Sequence, residues 1–342
     1  MEQIAFIVDH TYIYWNSIIT ALASATAVCV FWALLLARGK RFSAGFLMIP
    51  LAVGLSLVFS RLIYWYFRPE NEMNLKALIK LGMTGEAALS GVFAGCFLAA
   101  VLIRLVRLTD SLPELLDCLC LAGGIGIALG RLGAFFDASA RGMLMPAYMG
   151  MPWVSIITNP VTGAEEHRLA TFFLQAIVTG AITLVFLIFY LIRRDRIRDG
   201  DISLLFLQCY GAAQVILDST RYDSLYFRSN GFVSVVQVLG ALAVTMGMIV
   251  FGARMAYAGG WKKWYPVLWM PQLACLGLAG YMEYHVQRCG NEALFAYGSM
   301  GAALAAVVVL TLVSRTLGIR MEKQRKQQMF GVPCAEGNVQ NA

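Results

Sequence analysis

The chain has 342 residues, of which 59% are hydrophobic and only 14% carry a charged side chain. This balance excludes an ordinary water-soluble globular domain and is typical of a protein that crosses the lipid bilayer several times. The net charge of +7 does not indicate nucleic-acid binding here, because the basic residues gather after alternate hydrophobic segments.

Nine hydrophobic segments predict transmembrane helices in chain order. A helix needs about 20 apolar residues to cross a hydrocarbon core roughly 30 Å thick. The segments run over residues 16–37, 46–67, 87–108, 117–136, 169–192, 202–217, 232–253, 266–283 and 293–314. Because the segments at 202–217 and 266–283 are short or interrupted, seven to nine spans are expected. The predicted fold class is an all-α, polytopic integral membrane protein.

The distribution of lysine and arginine predicts the orientation of these spans. More than half of the basic residues lie in five clusters, at 38–41, 104–107, 193–198, 254–263 and 315–326. All five clusters fall on one side of a nine-span arrangement. The positive-inside rule then places the N-terminus outside and the C-terminus in the cytoplasm. The predicted location is the bacterial inner membrane.

The connecting segments differ in character. The polar stretch 68–86 is long enough for a short helix on the outer face. The stretch 137–167 contains three prolines and several glycines and is predicted to be the longest outer loop, a kind of segment that is usually functional or mobile. The polar tail from Met321 onward is predicted to be disordered beyond the last helix.

Cysteine and histidine do not indicate a metal site or a disulfide framework. Six of the eight cysteines lie inside apolar segments, where a thiol behaves as a small hydrophobic group. The three histidines are His10, His167 and His285, and no cysteine or histidine spacing is typical of zinc. We therefore expect neither a metal nor another cofactor.

Charged residues at membrane depth are the first candidates for function. An ionisable side chain near the bilayer core costs about 2.5 to 3.5 kcal/mol on insertion scales. The candidates are Arg61, Asp117, Arg131, Asp218 and Arg221. Each candidate also has a purely structural interpretation. The long side chain of Arg61 could extend to the membrane interface, and Asp218 and Arg221 could pair with each other at i and i+3. Asp117 could be a charge that the dipole favours at a helix N-terminus.

The predicted orientation brings Arg61, Arg131, Asp218 and Arg221 to the outer ends of their spans. Arginines gathered on one leaflet can bind the phosphate of a lipid head group, because the planar guanidinium binds phosphate with two parallel hydrogen bonds. Arg131 lies in the stretch GRLG, and the adjacent glycines would let a neighbouring helix or a lipid glycerol approach the backbone.

The stretch GRLGAFFDASARG at 130–142 resembles the signature of the prolipoprotein diacylglyceryl transferases, G-R-[LI]-G-N-F-x-N-x-E-x-x-G. Other fragments that resemble this family follow in the same order: SRLIYW, SGVFAG, HRLATFFLQ and DGDISLLFLQCYGAAQVILDSTRYD. The resemblance implies a family domain over 1–255, with 256–318 as an additional pair of transmembrane helices and 319–342 as a polar cytoplasmic tail.

The resemblance retains part of the family's polar residues and replaces others. The retained positions are Arg131, Gly133, Phe135, Gly142, Tyr210, Gly211 and Arg221, with an acid at Asp218. The replaced positions are Ser90 for a histidine, Ala134 for an asparagine, Gln214 for an arginine, Trp15 for a tyrosine, and Phe172 and Phe173 for a tyrosine and a glutamate. His167 matches a second family histidine.

The reaction that the resemblance implies moves the diacylglyceryl group of phosphatidylglycerol to the cysteine thiol of a prolipoprotein lipobox. Arg131 and Arg221 would stabilise the charge of the leaving group, and His167 and Asp137 are the candidates for the base. The predicted substrate-binding residues are Arg61, Ser90, Gly130, Gly133, Gly142, Tyr210, Gln214 and Asp218. The partners would be phosphatidylglycerol or a similar anionic phospholipid and the prolipoprotein signal peptide.

Two other functions compete with this one. The replaced positions favour a non-catalytic paralogue that binds a phospholipid head group or a lipoprotein signal peptide. A small-molecule transporter would need polar residues at the bilayer midplane, whereas the polar residues here gather at one face.

Overall fold

A computed structural model describes residues 4–8, 11–39, 42–68, 88–109, 111–137, 139–158, 162–193, 197–227, 230–288 and 293–330. The predicted short helix at 68–86 and most of the tail lie outside the described residues. Helices dominate the described part of the chain, in agreement with the predicted class of an α-helical polytopic membrane protein.

The α-helices follow the predicted hydrophobic segments closely. They are α1 (Trp15–Ala37), α2 (Phe42–Phe67), α3 (Leu89–Leu105), α4 (Leu112–Leu132), α5 (Thr171–Ile192), α6 (Asp201–Ser219), α7 (Val235–Gly259), α8 (Tyr265–Arg288) and α9 (Ala293–Phe330). Seven of them are long and apolar enough to cross a membrane: α1, α2, α4 with the turn that follows it, α5, α6, α7 and α9.

The two helices outside this set are α3 and α8. Helix α3 is apolar but has only 17 residues. Helix α8 contains Pro271 and ends in the polar residues Glu283, His285 and Arg288. The described helices thus agree with the lower end of the expected seven to nine spans, and the interrupted segment at 266–283 is one that falls short.

Short strands pair between the helices. Three antiparallel hairpins occur in the described residues: β1 (Ile4–Val8) with β2 (Thr11–Tyr14), β3 (Val154–Thr158) with β4 (Glu165–Leu169), and β5 (Tyr226–Phe227) with β6 (Asn230–Ser234). The predicted long loop at 137–167 therefore has structure of its own. Its backbone groups pair with each other across β3 and β4, which satisfies hydrogen bonds that a simple loop would leave to water.

Helices α2 and α3 pack at very short range because small residues face each other. A Cβ atom added at Gly91 would lie 2.3 Å from the backbone of Ser60, and one at Gly95 would lie 2.4 Å from the backbone of Ser56. The spacing of Gly91 and Gly95 is the small-xxx-small pattern by which membrane helices approach closely. The fragment SGVFAG thus fixes the contact between α2 and α3.

Asp117 connects α4 to the start of α6. Its carboxylate accepts hydrogen bonds from the backbone N–H groups of Gly200, at 2.8 Å, and Ser203, at 2.7 Å. A carboxylate at a helix N-terminus satisfies N–H groups that have no partner within the helix and is favoured by the helix dipole. The residue is therefore a helix cap, and the helix that it caps is α6 rather than α4.

The chain forms two compact units, 1–243 and 244–342, and the division falls within α7. In the second unit, the Tyr265 hydroxyl donates to the carbonyl oxygen of Met255 at 3.5 Å. Helix α9 continues through Phe330, so its end includes part of the segment predicted to be a disordered tail. Lys326 pairs there with Glu322 at 3.1 Å, one turn earlier on the same helix.

Candidate active site

One face of α6 carries most of the polar side chains of the candidate site. Tyr210, Gln214 and Asp218 recur at intervals of four residues, and Arg221 follows directly after the helix. Residues four apart share one face of an α-helix and lie about 5.4 Å apart along its axis. All three helical side chains are buried. The face is thus a buried polar column within the helix bundle.

Two carboxylates bind the guanidinium of Arg221. Its Nη1 lies 3.3 Å from Oδ1 of Asp218, and its Nη2 lies 3.0 Å from Oδ1 of Asp223. The pairing of Asp218 with Arg221 that the i and i+3 spacing suggested is present. The other oxygen of Asp218 accepts a hydrogen bond from the hydroxyl of Ser234, the last residue of β6. The Arg221 side chain is consequently fixed by contacts to two neighbouring segments.

Arg131 reaches the same cluster from α4. It lies in the last turn of that helix and interacts electrostatically with Arg221, Tyr210, Asp218 and Asp223, the interaction with Arg221 being the largest of the four. The two arginines therefore converge from separate helices, although their like charges repel. A phosphate placed between them would replace this repulsion by two attractions.

Asp223 also supports the segment that follows Arg131. Its Oδ2 accepts a hydrogen bond from the backbone N–H of Ala140 at 2.8 Å. Ala140 has a φ of +55°, a left-handed conformation that a residue with a Cβ rarely adopts. The Asp223 contact helps to maintain this strained residue, and such residues cluster at functional sites.

Arg141 stabilises the turn at Gly133–Phe136 that continues α4. Its Nη2 donates to the carbonyl oxygens of Ala134, Phe135 and Asp137, at 3.3, 3.2 and 3.0 Å. Burial lowers the pKa of the Arg141 guanidinium, and the neighbouring Tyr222 and Asp137 oppose that shift. A cation at the C-terminal carbonyls of a helix is favourable, so Arg141 fixes the backbone that leads away from Arg131.

The glycines of the signature have different roles. A Cβ at Gly133 would lie 2.5 Å from Oδ1 of Asn16 in α1, and a Cβ at Gly142 would lie 2.5 Å from Oγ1 of Thr171 in α5. A side chain at Gly142 would also overlap Cβ of Leu169, at 2.8 Å, whereas at Gly133 the Asn16 side chain would have to move. At Gly130 the nearest atom would be 3.8 Å away, an ordinary contact, so close approach does not explain that glycine.

The two candidate bases occupy different places. Asp137 follows the turn after α4, where its Oδ2 accepts a hydrogen bond from Nδ2 of Asn16 at 3.5 Å. It also interacts electrostatically with Tyr222, the residue after Arg221. His167 lies on β4, and its Nδ1 is buried without a hydrogen-bond partner in the described part of the chain. Among the described residues, no hydrogen bond or ion pair joins His167 to Arg131 or Arg221.

Arg168 is a cation of this region that sequence reasoning missed. Its Nη1 donates to the carbonyl oxygen of Gly142 at 3.2 Å, and its guanidinium lies 4.6 Å from the centroid of the Tyr222 ring. It also pairs with Glu166 at 2.7 Å. Successive side chains of a strand point to opposite faces, so Arg168 and His167 diverge. The only sign of Arg168 in the sequence was its position directly after His167, which matches a histidine of the family pattern.

Ser90 and Arg61 lie at the contact between α2 and α3. Both are half-buried, and each is adjacent in sequence to a partner in the close Gly91–Ser60 approach. Helix α3 reaches the column on α6 through Phe93, whose ring centroid lies 5.7 Å from that of Tyr210. Ser90 lies one turn before Phe93 on the same helix.

Gln214 is paired with a residue that sequence reasoning did not select. Nε2 of Gln175, on α5, donates to Oε1 of Gln214 at 3.1 Å, and both side chains are buried. The signal in the sequence was the spacing of Thr171, Gln175, Thr179 and Thr183, four polar residues at i+4 intervals within an apolar helix. The replacement of the family arginine by Gln214 thus produces a neutral amide pair.

The fold and this site define a multi-pass membrane protein in which arginines from two helices and their acidic partners converge at one end of the bundle. Comparison with known proteins gives the family. The model of the prolipoprotein diacylglyceryl transferase family matches residues 3–253, and the chain belongs to this family.

Curated relatives carry the name phosphatidylglycerol–prolipoprotein diacylglyceryl transferase. The relative from Clostridium botulinum strain Langeland is 24% identical over 243 residues, which cover 71% of this chain and 94% of the relative. Those from Listeria innocua and Finegoldia magna are each 25% identical over 73% of this chain and cover 90% and 94% of their own lengths. The match extends over nearly the whole of each relative.

Proposed function

We propose that the protein transfers the diacylglyceryl group of phosphatidylglycerol to the lipobox cysteine of a prolipoprotein. The convergence of Arg131 and Arg221 on the acidic pair Asp218 and Asp223 is the observation that carries the proposal. Family membership and the names of the relatives support the same reaction. They favour the transferase over the non-catalytic paralogue that the replaced residues had suggested.

In the proposed reaction, the thiolate sulfur of the lipobox cysteine attacks the glyceryl carbon that carries the phosphate. A thioether bond forms, and the bond from that carbon to the phosphate oxygen breaks. Its electron pair leaves with glycerol phosphate. Arg131 and Arg221 bind the phosphate and stabilise the negative charge that grows on the leaving oxygens. Asp218 and Asp223 orient Arg221 for this role.

The thiol must lose its proton before or during the attack. A free cysteine has a pKa near 8.5, so modest assistance by a base is sufficient. Asp137 is the better placed candidate, because it follows the turn after Arg131 and interacts with Tyr222 beside Arg221. His167 is the second candidate, since its buried Nδ1 has no partner among the described residues and can accept a proton.

The remaining predicted residues would shape the lipid site. Gly133 and Gly142 permit the close packing that positions the signature segment, and the Tyr210 ring packs between Phe93 and Phe206 at the column. Arg61 and Ser90 would border the site from α2 and α3, and Gly130 would face the lipid.

The positive-inside pattern supports an orientation with the N-terminus outside and the arginine cluster at the outer leaflet of the bacterial inner membrane. The division into a family domain at 1–255, two additional helices at 256–318 and a cytoplasmic tail at 319–342 completes the proposal.

The experiment is a transfer assay with the purified full-length protein, phosphatidylglycerol and a lipobox peptide. We expect a peptide whose mass has increased by one diacylglyceryl group, and no product when the peptide cysteine is replaced by serine. Rescue of a strain depleted of its own transferase provides a second readout. No lipidated peptide at any pH, together with no rescue, would contradict the proposal.

A further inference from the structure

A polar stripe runs along the face of α5 that meets α6. Thr171, Gln175, Thr179 and Thr183 recur every four residues, and each is at most 1% exposed. The two end members are satisfied: the Thr171 hydroxyl shares a 3.0 Å hydrogen bond with Thr220, and the Thr183 hydroxyl donates to the carbonyl oxygen of Thr179 at 2.7 Å. The two central members, Gln175 and Thr179, each have a side-chain atom without such a partner among the described residues.

Three side-chain atoms at this centre have no hydrogen-bond partner in the described part of the chain. They are Oε1 of Gln175, Oγ1 of Thr179 and Nε2 of Gln214, all on residues at least 98% buried. Leaving a buried polar atom unpaired costs roughly 1 to 3 kcal/mol. Three such atoms on one turn of α5 and the facing residue of α6 therefore indicate a place where a polar group binds.

The chemistry of these atoms selects the kind of group. The Gln214 amide nitrogen can donate two hydrogen bonds, the Gln175 amide oxygen can accept two, and the Thr179 hydroxyl can do both. None of the three side chains is charged, so none of them supplies a counter-charge for an ammonium group or for a second phosphate. A neutral group with hydroxyls, which both donate and accept, fits this set.

The position of the centre links it to the arginine cluster. On α6, Gln214 lies one turn from Tyr210 and one turn from Asp218, about 5.4 Å in each direction. Arg131 interacts electrostatically with both of these flanking residues. Arg131 is therefore near the face of α6 that carries Gln214.

We propose that Gln175, Thr179 and Gln214 form a subsite for the hydroxyl groups of a neutral polyol that is esterified to the phosphate bound by Arg131 and Arg221. This inference rests on the proposed function and adds the residues that select the lipid head group. A phospholipid whose phosphate carries a glycerol would satisfy all three atoms. Phosphatidic acid, which lacks the head-group alcohol, would leave them unpaired.

The test compares two lipids with the same acyl chains. The full-length protein in nanodiscs is titrated with phosphatidylglycerol and with phosphatidic acid, and binding is measured by native mass spectrometry. We expect wild type to prefer phosphatidylglycerol by about tenfold, the equivalent of one or two net hydrogen bonds. Gln175→Leu and Thr179→Val should each reduce this preference to threefold or less, with little change in the affinity for phosphatidic acid.

Matched variants separate the subsite from general effects on folding. Thr183→Val removes a hydroxyl from the same stripe that is already satisfied, and Thr179→Ser retains the hydroxyl of the subsite. Both should keep the tenfold preference. The inference is overturned if wild type shows no preference, which would mean that the three atoms bind water only, or if Thr179→Val and Gln175→Leu retain it.

The outcome also distinguishes this inference from the proposed function. Transfer to the lipobox peptide with an unchanged lipid preference in the variants would contradict the subsite alone. A preference that depends on Gln175 and Thr179, without transfer under any condition, would contradict the transferase alone.

Discussion

Replacing each arginine of the cluster by methionine should have opposite effects on stability and the same effect on activity. Arg131→Met and Arg221→Met both remove a group that would bind the phosphate of the lipid. Loss of one preorganised charged donor costs about 10² to 10³ in kcat. Both variants should therefore lose at least a hundredfold of the transfer rate.

The stability changes follow from the partners of each guanidinium. Arg221 binds Asp218, whose side chain is fully buried, and Asp223, at 3.3 and 3.0 Å. Removing one partner of a buried ion pair costs about 3 to 5 kcal/mol, because the other charge stays buried. For Arg131 the largest electrostatic interaction with another residue is repulsion from Arg221, and burial also disfavours its charge. Arg131→Met should therefore raise the free energy of unfolding, because it removes a buried charge that no partner fully compensates.

The assay is thermal unfolding of the purified variants in detergent without added phospholipid, followed by the transfer reaction. Arg325→Met, at an exposed position on α9, is the control for the loss of a basic residue. A destabilised Arg131→Met variant would show that Arg131 is a structural ion-pair partner. A variant as active as wild type would show that the cluster does not bind the substrate.

Three further predictions concern the framework of the site. Gly142→Val should destabilise the protein by about 1 to 3 kcal/mol, measured by thermal unfolding, because its Cβ would overlap the Thr171 hydroxyl, whereas Gly130→Ala should be neutral. Asp117→Leu should lower the free energy of unfolding by roughly 1 to 3 kcal/mol and leave the lipid preference intact, since it deprives two backbone N–H groups at the start of α6 of their acceptor. Asp137→Asn should slow transfer about 10²-fold with little effect on phosphatidylglycerol affinity, and an unchanged rate would assign the base elsewhere.

The helices could be predicted from sequence because membrane depth sets the length of each apolar run. Predicted and observed bounds agree within about five residues for most of them, and α5 was predicted at 169–192 against Thr171–Ile192. The β3–β4 hairpin was missed, since prolines and glycines dominate the composition of 137–167 while the pairing depends on register. The extension of α9 was missed because its final turns are polar, and polar helix ends are hard to separate from disordered tails.

Residues of the candidate site could be predicted from the sequence only where the residue type is unusual for its surroundings. A charge within an apolar segment indicates Arg131 and Arg221 without any structure, and the structure brings the two together. The role of Asp117 depends on the start of α6, which lies more than 80 residues further along the chain. Gln175 was overlooked because an uncharged side chain in an apolar helix is a weak signal until its partner is known.

The charge balance of the cluster explains why neutral residues matter in this chain. Arg131 and Arg221 carry two positive charges, and Asp218 and Asp223 can carry two negative ones, so the cluster has little net charge with which to attract a phosphodiester. The arginine of the family pattern at the position of Gln214 would add a positive charge, whereas Gln214 adds an amide. Hydrogen bonds from neutral groups must then supply more of the affinity for the lipid. Such groups bind a head group that carries hydroxyls more tightly than a phosphate without an alcohol. A neutral amide at position 214 therefore favours selection of the lipid by the head-group alcohol as well as by the charge of the phosphate.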